Sequence, residues 1–236
     1  MTNIVAIARR ELSSYYTSFL FYVVTAAFLV ITGFFFAINV AYSRSAAVAP
    51  LFQTTYTILL LIAPILTMRL LAEEQRTGTI ELILTSPVRD FELVVGKFLA
   101  GVGLLVSMMA LTGFYPLLLA FYGQPDRGGI IGGYLGALLF GGTAVAIGLL
   151  TSSLTANQIV AAVLSFAILL ILWVIDGVGG TFGGVTGSIA TYLAVYTHFS
   201  DMTRGIVDTR DVVYFITMIV AALFLTIRSM ETRRWR

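Results

Sequence analysis

Six long apolar runs constrain this chain more than any other feature of its sequence. They cover residues 18–41, 51–71, 91–121, 130–150, 159–175 and 212–227. A helix rises about 1.5 Å per residue, so about 20 apolar residues cross the hydrocarbon core of a bilayer. Only 11% of the residues are charged, whereas soluble domains carry roughly 25%. We therefore expect an all-α membrane protein with six transmembrane helices in a single domain of residues 1–236.

Two segments outside these runs predict shorter helices. Residues 1–17 place apolar residues at helical spacing, with Arg9 and Arg10 on another side, which predicts an amphipathic helix in the membrane interface. An extension of the first span is the alternative. The recurring positions are Ile4, Ile7, Ala8, Glu11 and Leu12. Residues 176–211 are too polar for a span and too apolar for a free loop, so we expect short re-entrant or interfacial helices before the last span.

The fourth run is rich in small residues. Gly132 and Gly136, and likewise Gly133 and Ala137, lie four positions apart. Such pairs let helix backbones approach closely. The pattern predicts tight helix packing, either within one chain or between two copies.

The most densely charged connection between two spans lies in residues 69–92, RLLAEEQRTGTIELILTSPVRDFE. Arg69 and Glu73 are four positions apart and can pair along one helix face. Gly78 follows as a terminator of that helix. The segment therefore predicts a cytoplasmic hinge in which a short helix, a glycine break and a second short helix lead back into the membrane.

Two prolines flank this hinge. Pro64 lies inside the second span, where it removes a backbone hydrogen bond and is expected to bend the helix. Pro87 follows a serine, a pattern typical of an N-cap and the first helical position. We interpret both as kink or hinge positions.

The basic residues predict an orientation. With the N-terminus inside, the inner side holds Arg9, Arg10, Arg69, Arg76, Arg89, Lys97, Arg228, Arg233, Arg234 and Arg236, and the outer side holds Arg44, Arg127, Arg204 and Arg210. Basic residues accumulate on the cytoplasmic side of membrane proteins. We therefore expect a multi-pass protein of the cell (inner or plasma) membrane with both termini cytoplasmic.

Several functions are disfavoured by the sequence. The chain has no cysteine and one histidine, so a metal site is not expected. Gly96 and Lys97 are followed by phenylalanine and do not match a phosphate loop. His198 near Asp201 is more typical of a structural histidine than of a catalytic triad. We expect neither an enzyme nor a cofactor of its own, and a net charge of +2 gives no indication of nucleic-acid binding.

The hinge also carries a family resemblance. The string LAEEQRTGTIELILTSPVRDFELVVGKFLAG resembles the cytoplasmic motif of ABC-2-type permeases, the membrane subunits of bacterial ABC exporters. It is most similar to the gliding-motility-type branch, whose relatives include the permease of the nitrous-oxide-reductase maturation system. THFSDMTRGIVDTRDVVYF, before the last span, and the N-terminal RREL are similar to the same branch.

This resemblance implies a dimer of permeases, with itself or a paralogue, bearing two cytoplasmic ATPase subunits that bind ATP and Mg²⁺. The implied coupling helix, which would dock on the ATPase, comprises Glu73, Glu74, Gln75, Arg76, Thr77 and Gly78. The implied extracytoplasmic segment, which would cap the translocation path, includes His198, Phe199, Arg204, Gly205, Asp208 and Asp211. The branch also implies a companion protein with a large extracytoplasmic domain.

The expected function is the permease subunit of an ATP-driven exporter. Two alternatives stay open: a mechanotransmission or scaffold subunit that passes ATP-driven motion to an extracytoplasmic partner without moving cargo, and a self-powered channel or carrier. Intramembrane acidic residues mark ion-coupled carriers, and the spans here lack them except near one end. Spans this apolar favour a hydrophobic cargo over an ion.

Overall fold

The computed structural model describes residues 2–43, 47–79, 88–179 and 192–234. Every regular element in these ranges is a helix. The helices are α1 (Thr2–Tyr16), α2 (Phe19–Ser43), α3 (Ala49–Thr67), α4 (Arg69–Thr77), α5 (Asp90–Thr112), α6 (Phe114–Tyr122), α7 (Arg127–Leu154), α8 (Gln158–Gly179), α9 (Val195–Thr203) and α10 (Thr209–Arg234).

Six helical stretches of the described chain are long and apolar enough to cross a membrane. They are Phe19–Tyr42, Ala49–Thr77, Asp90–Phe121, Arg127–Leu154, Gln158–Ile175 and Thr209–Thr232. The prediction of an all-α membrane protein with six spans is therefore confirmed.

Helix α7 lies at the centre of the bundle, where it packs against α3, α5, α8, α9 and α10. The glycines of α7 allow this close packing. A Cβ atom at Gly133 would overlap the ring of Phe52, and one at Gly148 would overlap the side chain of Thr67. The small residues predicted to mediate close packing thus act within the chain.

Helix α1 is separate from the first span, because it ends at Tyr16 and α2 begins at Phe19. It packs along α5, whose glycines make room for it. Ile7 lies against Gly96, and Leu12 lies against Gly103. The apolar face predicted for residues 1–17 is therefore the face that contacts the protein, and the alternative of an extended first span is wrong.

Two spans are interrupted close to their prolines. The third span breaks at Gly113, three residues before Pro116, and divides into α5 and α6. The second span breaks at Met68, four residues after Pro64, although Met68 keeps right-handed helical angles (φ −55°, ψ −29°). Helix α4 therefore follows α3 after a single residue.

The bundle has two distinct ends. The α4 end comprises α4, α1 and the last turn of α7, since α4 bonds to Ser152 of α7. The α9 end comprises α9 and the first turns of α7 and α10, since Gly132 lies against Met202 of α9. The second short helix predicted after Gly78, Pro87 and most of the glycine-rich run near residue 180 lie outside the described residues.

Replacement of Gly148 by alanine tests the packing of α7. We expect Gly148→Ala to lower stability by about 1–3 kcal/mol, because the new methyl group overlaps Thr67. Gly142→Ala is the matched control, since its Cβ would meet only the flexible end of Ile219 at 3.3 Å. Thermal unfolding in detergent measures both. Equal unfolding temperatures for Gly148→Ala and Gly142→Ala would show that Thr67 leaves room for a methyl group at position 148.

Candidate functional site

Helix α4 is buried on one face and exposed on the other. Leu70, Leu71 and Ala72 are buried, whereas Arg76 and the three residues that follow it, up to Thr79, are exposed. The helix ends at Gly78 with φ +71°, a left-handed conformation that glycine adopts without a steric penalty. The predicted role of Gly78 as a helix terminator is confirmed.

Ser152 of α7 fixes the start of α4. Its hydroxyl accepts hydrogen bonds from the backbone amides of Leu71 (2.9 Å) and Ala72 (2.8 Å) and donates one to the carbonyl of Met68 (3.0 Å). The first amides of a helix have no partner within the helix and need one from outside. A side chain of another span therefore acts as the cap at this interruption.

Gln75 extends the same contact by one turn. Its side-chain amide donates to the carbonyls of Ser152 (3.3 Å) and Ser153 (2.9 Å). These carbonyls belong to the last turn of α7, where carbonyl groups lack partners within the helix. Gln75 therefore points into the bundle and not toward a soluble partner.

Lys97 of α5 joins three helices. Its ammonium nitrogen lies 2.9 Å from Oε1 of Glu74 on α4 and 3.0 Å from Oε1 of Glu11 on α1. Only 1% of its side chain is exposed. A charge buried to this extent is tolerated only when it is paired and hydrogen-bonded. The lysine therefore ties α1, α4 and α5 together at one point.

A second set of contacts links α1 to the second span. The phenol of Tyr15 donates to the carbonyl of Leu66 (2.8 Å), and burial raises the pKa of Tyr15, so the group stays a neutral donor. On the exposed face of α4, Nε of Arg69 lies 2.8 Å from Oε2 of Glu73, a pair that the spacing predicts. This pair is partly exposed and contributes little to stability.

The structure divides the six residues of the predicted coupling helix. Arg76, Thr77 and Gly78 are exposed, and Glu73 is half-exposed beside them. Glu74 and Gln75 point inward. Glu73 and Glu74 therefore face different sides of α4, because adjacent positions on a helix lie about 100° apart. The docking role of the six residues stays a prediction.

His198 joins three segments at the α9 end. Its Nδ1 lies 2.6 Å from Oδ1 of Asp211 on α10, and its Nε2 lies 3.1 Å from the carbonyl of Tyr192. The imidazole ring stacks on Tyr214, with 4.2 Å between ring centroids. Each of these contacts holds chain segments together, which supports the structural interpretation of this histidine.

The other residues of the predicted extracytoplasmic segment do not converge on one site. Phe199 is fully buried against Tyr56. Gly205 has φ +81° and lies close to Gly128, as only glycine could without strain. The remaining two members, Arg204 and Asp208, are exposed. Across the described ranges, no group of three or more potential metal ligands is present.

Comparison with known families gives the identity of this bundle. A family model described as ABC-2 family transporter protein matches residues 41–229. The chain belongs to this family. No curated protein shows significant similarity to it. As an ABC-2 permease, the chain is a multi-pass transport subunit, and family membership implies association with an ABC ATPase and with a partner permease.

Three residues that organise α4 in this ABC-2 permease were not identified from the sequence as site residues: Lys97, Glu11 and Ser152. Lys97 entered only the count of inner-side basic residues and the comparison with a phosphate loop. The available signal was a single lysine entering an apolar span, because such a residue requires an acidic partner. Ser152 gave no comparable signal, since a serine near a helix end is common.

Removal of the Lys97 ammonium tests this arrangement. We expect Lys97→Met to lower stability by about 3–5 kcal/mol, because two partly buried carboxylates lose their cation. Adding Glu74→Gln should restore part of the loss. Arg9→Met, on the exposed side of α1, is the control and should change stability by less than about 0.5 kcal/mol. Thermal unfolding in nanodiscs measures these variants, and identical curves for Lys97→Met and Arg9→Met would contradict the expectation.

Proposed function

We propose that this ABC-2 permease couples ATP turnover by a separate ABC ATPase to the export of a substrate, with α4 as the element on which the ATPase docks. The single observation behind this proposal is the asymmetry of α4. One face is bonded to α5 and α7, and the opposite face is exposed at the end of the bundle.

The docking surface in this proposal comprises Glu73, Arg76, Thr77 and Gly78. It presents one acidic and one basic side chain beside the left-handed turn at Gly78. A short helix with mixed charge gives specific contacts to a complementary groove. Glu74 and Gln75 have a different role, since they hold α4 to the bundle.

The inward contacts explain how motion would reach the spans. Lys97 and Ser152 connect α4 to α5 and α7, and Tyr15 connects α1 to the carbonyl of Leu66. A displacement of α4 by ATPase closure cannot occur without moving these partners or breaking buried polar contacts, which is costly. The force would therefore be delivered to α3, α5 and α7 at once.

The distribution of basic residues supports a cytoplasmic α4 end with both termini on the same side, in the cell membrane. The α9 end would then be extracytoplasmic. There, Arg204 and Asp208 are exposed and could meet a companion protein of the kind expected for the gliding-motility-type and nitrous-oxide-reductase-maturation-type branch. ATP and Mg²⁺ would bind in the partner ATPase.

Outward- and inward-facing residues of α4 separate docking from positioning. We expect Glu73→Ala/Arg76→Ala to reduce ATPase co-purification about tenfold or more, because two exposed charged contacts are lost. Glu74→Gln should leave co-purification near the wild-type level, because this side chain faces Lys97. The measurement is recovery of the ATPase, with its ATP hydrolysis, from mild detergent.

Arg9→Ala is the control for loss of an exposed charge at the same end of the bundle. Equal recovery of ATPase with wild type and the Glu73→Ala/Arg76→Ala variant would remove α4 from the docking surface. Absence of any bound ATPase from the wild-type chain would contradict the proposed function itself.

A further inference from the structure

A lateral groove lies between α6 and α7 at the α9 end of the bundle. Its volume is about 680 Å³, within the range of roughly 300–1,000 Å³ that is typical of ligand pockets. The groove exists because the third span breaks at Gly113 and α6 does not pack closely on α7. Its lining includes the apolar side chains of Pro116, Leu117, Ala120 and Ile130 and the polar side chains of Gln124, Arg127 and Tyr134.

The groove is apolar along its length and basic at its rim. Arg127 is the only charged residue that lines it, and this side chain is exposed. Within the described chain Arg127 forms no ion pair. The adjacent Asp126 is occupied, because its carboxylate accepts from the amides of Gly128 (3.0 Å) and Gly129 (3.1 Å).

The groove is polar at the level of the lipid headgroups and apolar at the level of the hydrocarbon core. Arg127 is the first residue of a span, where a membrane helix meets the headgroup layer. Tyr134 lies seven residues further, about 10 Å along the helix and toward the hydrocarbon core. Its hydroxyl is already hydrogen-bonded to Thr112 at 3.1 Å. The inner part of the groove therefore favours an apolar ligand without polar groups.

We propose that this groove binds an anionic membrane lipid, with the phosphate of the headgroup on Arg127 and one acyl chain beside Ile130 and Tyr134. The ligand is an amphiphile because a cation and an apolar channel follow each other along one helix. Arginine recognises phosphate through paired, charge-assisted hydrogen bonds. The lipid belongs to the leaflet at the α9 end, and its binding does not depend on ATPase docking.

A second copy of the chain fits the groove less well than a lipid. In a two-fold symmetric contact the same patch faces itself. That arrangement would bring Arg127 toward its own copy, and no acidic residue of the groove could pair with it. A lipid phosphate supplies the missing negative charge.

Photo-crosslinking in nanodiscs tests the proposal. The full chain is reconstituted with a diazirine-bearing phosphatidylglycerol or the matching phosphatidylcholine, and labelled peptides are mapped by mass spectrometry. Arg127→Gln should reduce labelling of the groove by the anionic lipid about tenfold. It should reduce labelling by the zwitterionic lipid much less, because the choline ammonium already compensates the phosphate of that lipid. Ala120→Phe should reduce both, because the ring fills the groove.

Two matched controls keep these results specific. Arg210→Gln removes an exposed arginine near the start of α10, and Ile131→Phe enlarges an exposed side chain of α7 outside the groove. Neither should change labelling. Equal anionic labelling of wild type and Arg127→Gln would overturn the proposal, as would equal labelling of wild type and Ala120→Phe.

Two further measurements distinguish other occupants. Excess inorganic phosphate, added before irradiation, should not lower labelling of the groove by the lipid. Lower labelling would show a site for the anion alone and would overturn the proposal. Because the chain has no cysteine, Leu117→Cys provides a unique thiol. Efficient disulfide formation between two such chains in the bilayer would show that a second copy covers the groove and would overturn the proposal.

Discussion

The polar organisation of the α4 end depends on one buried cation. The ammonium of Lys97 lies within 3.0 Å of two carboxylates from two other helices. In a chain with so little charge, the lysine can remain buried only while Glu11 and Glu74 stay beside it. The requirement for charge compensation therefore acts as a geometric constraint, and it places the N-terminal helix, the short helix α4 and the third span in a fixed arrangement.

The second constraint is steric. Helix α7 supplies no side chain at Gly133 and Gly148, so α3 can approach its backbone. The same helix carries Ser152 in its last turn, where the hydroxyl caps α4. Close packing and capping are thus properties of one helix. Because side-chain hydrogen bonds and dispersion contacts both need short distances, the glycines make the polar contacts at the α4 end possible.

The two ends of the bundle are held by different interactions. At the α4 end, ion pairs and hydrogen bonds connect separate helices, whereas at the α9 end the His198–Asp211 contact is combined with aromatic contacts of His198 and Phe199. Between these ends α2, α8 and α10 expose mainly apolar side chains, as a membrane requires. The groove beside Arg127 combines an apolar channel with a charge that forms no ion pair within the described chain.

The sequence by itself determined the six spans, the packing face of α1 and the end of α4 at Gly78, because each depends on local periodicity or on the conformation of a single residue. The family resemblance of the hinge was also visible in the sequence. Only the tertiary structure decided that Glu74 turns inward to Lys97 and that Ser152 caps α4. Those contacts join residues far apart in the chain, and helix packing alone sets which of them meet.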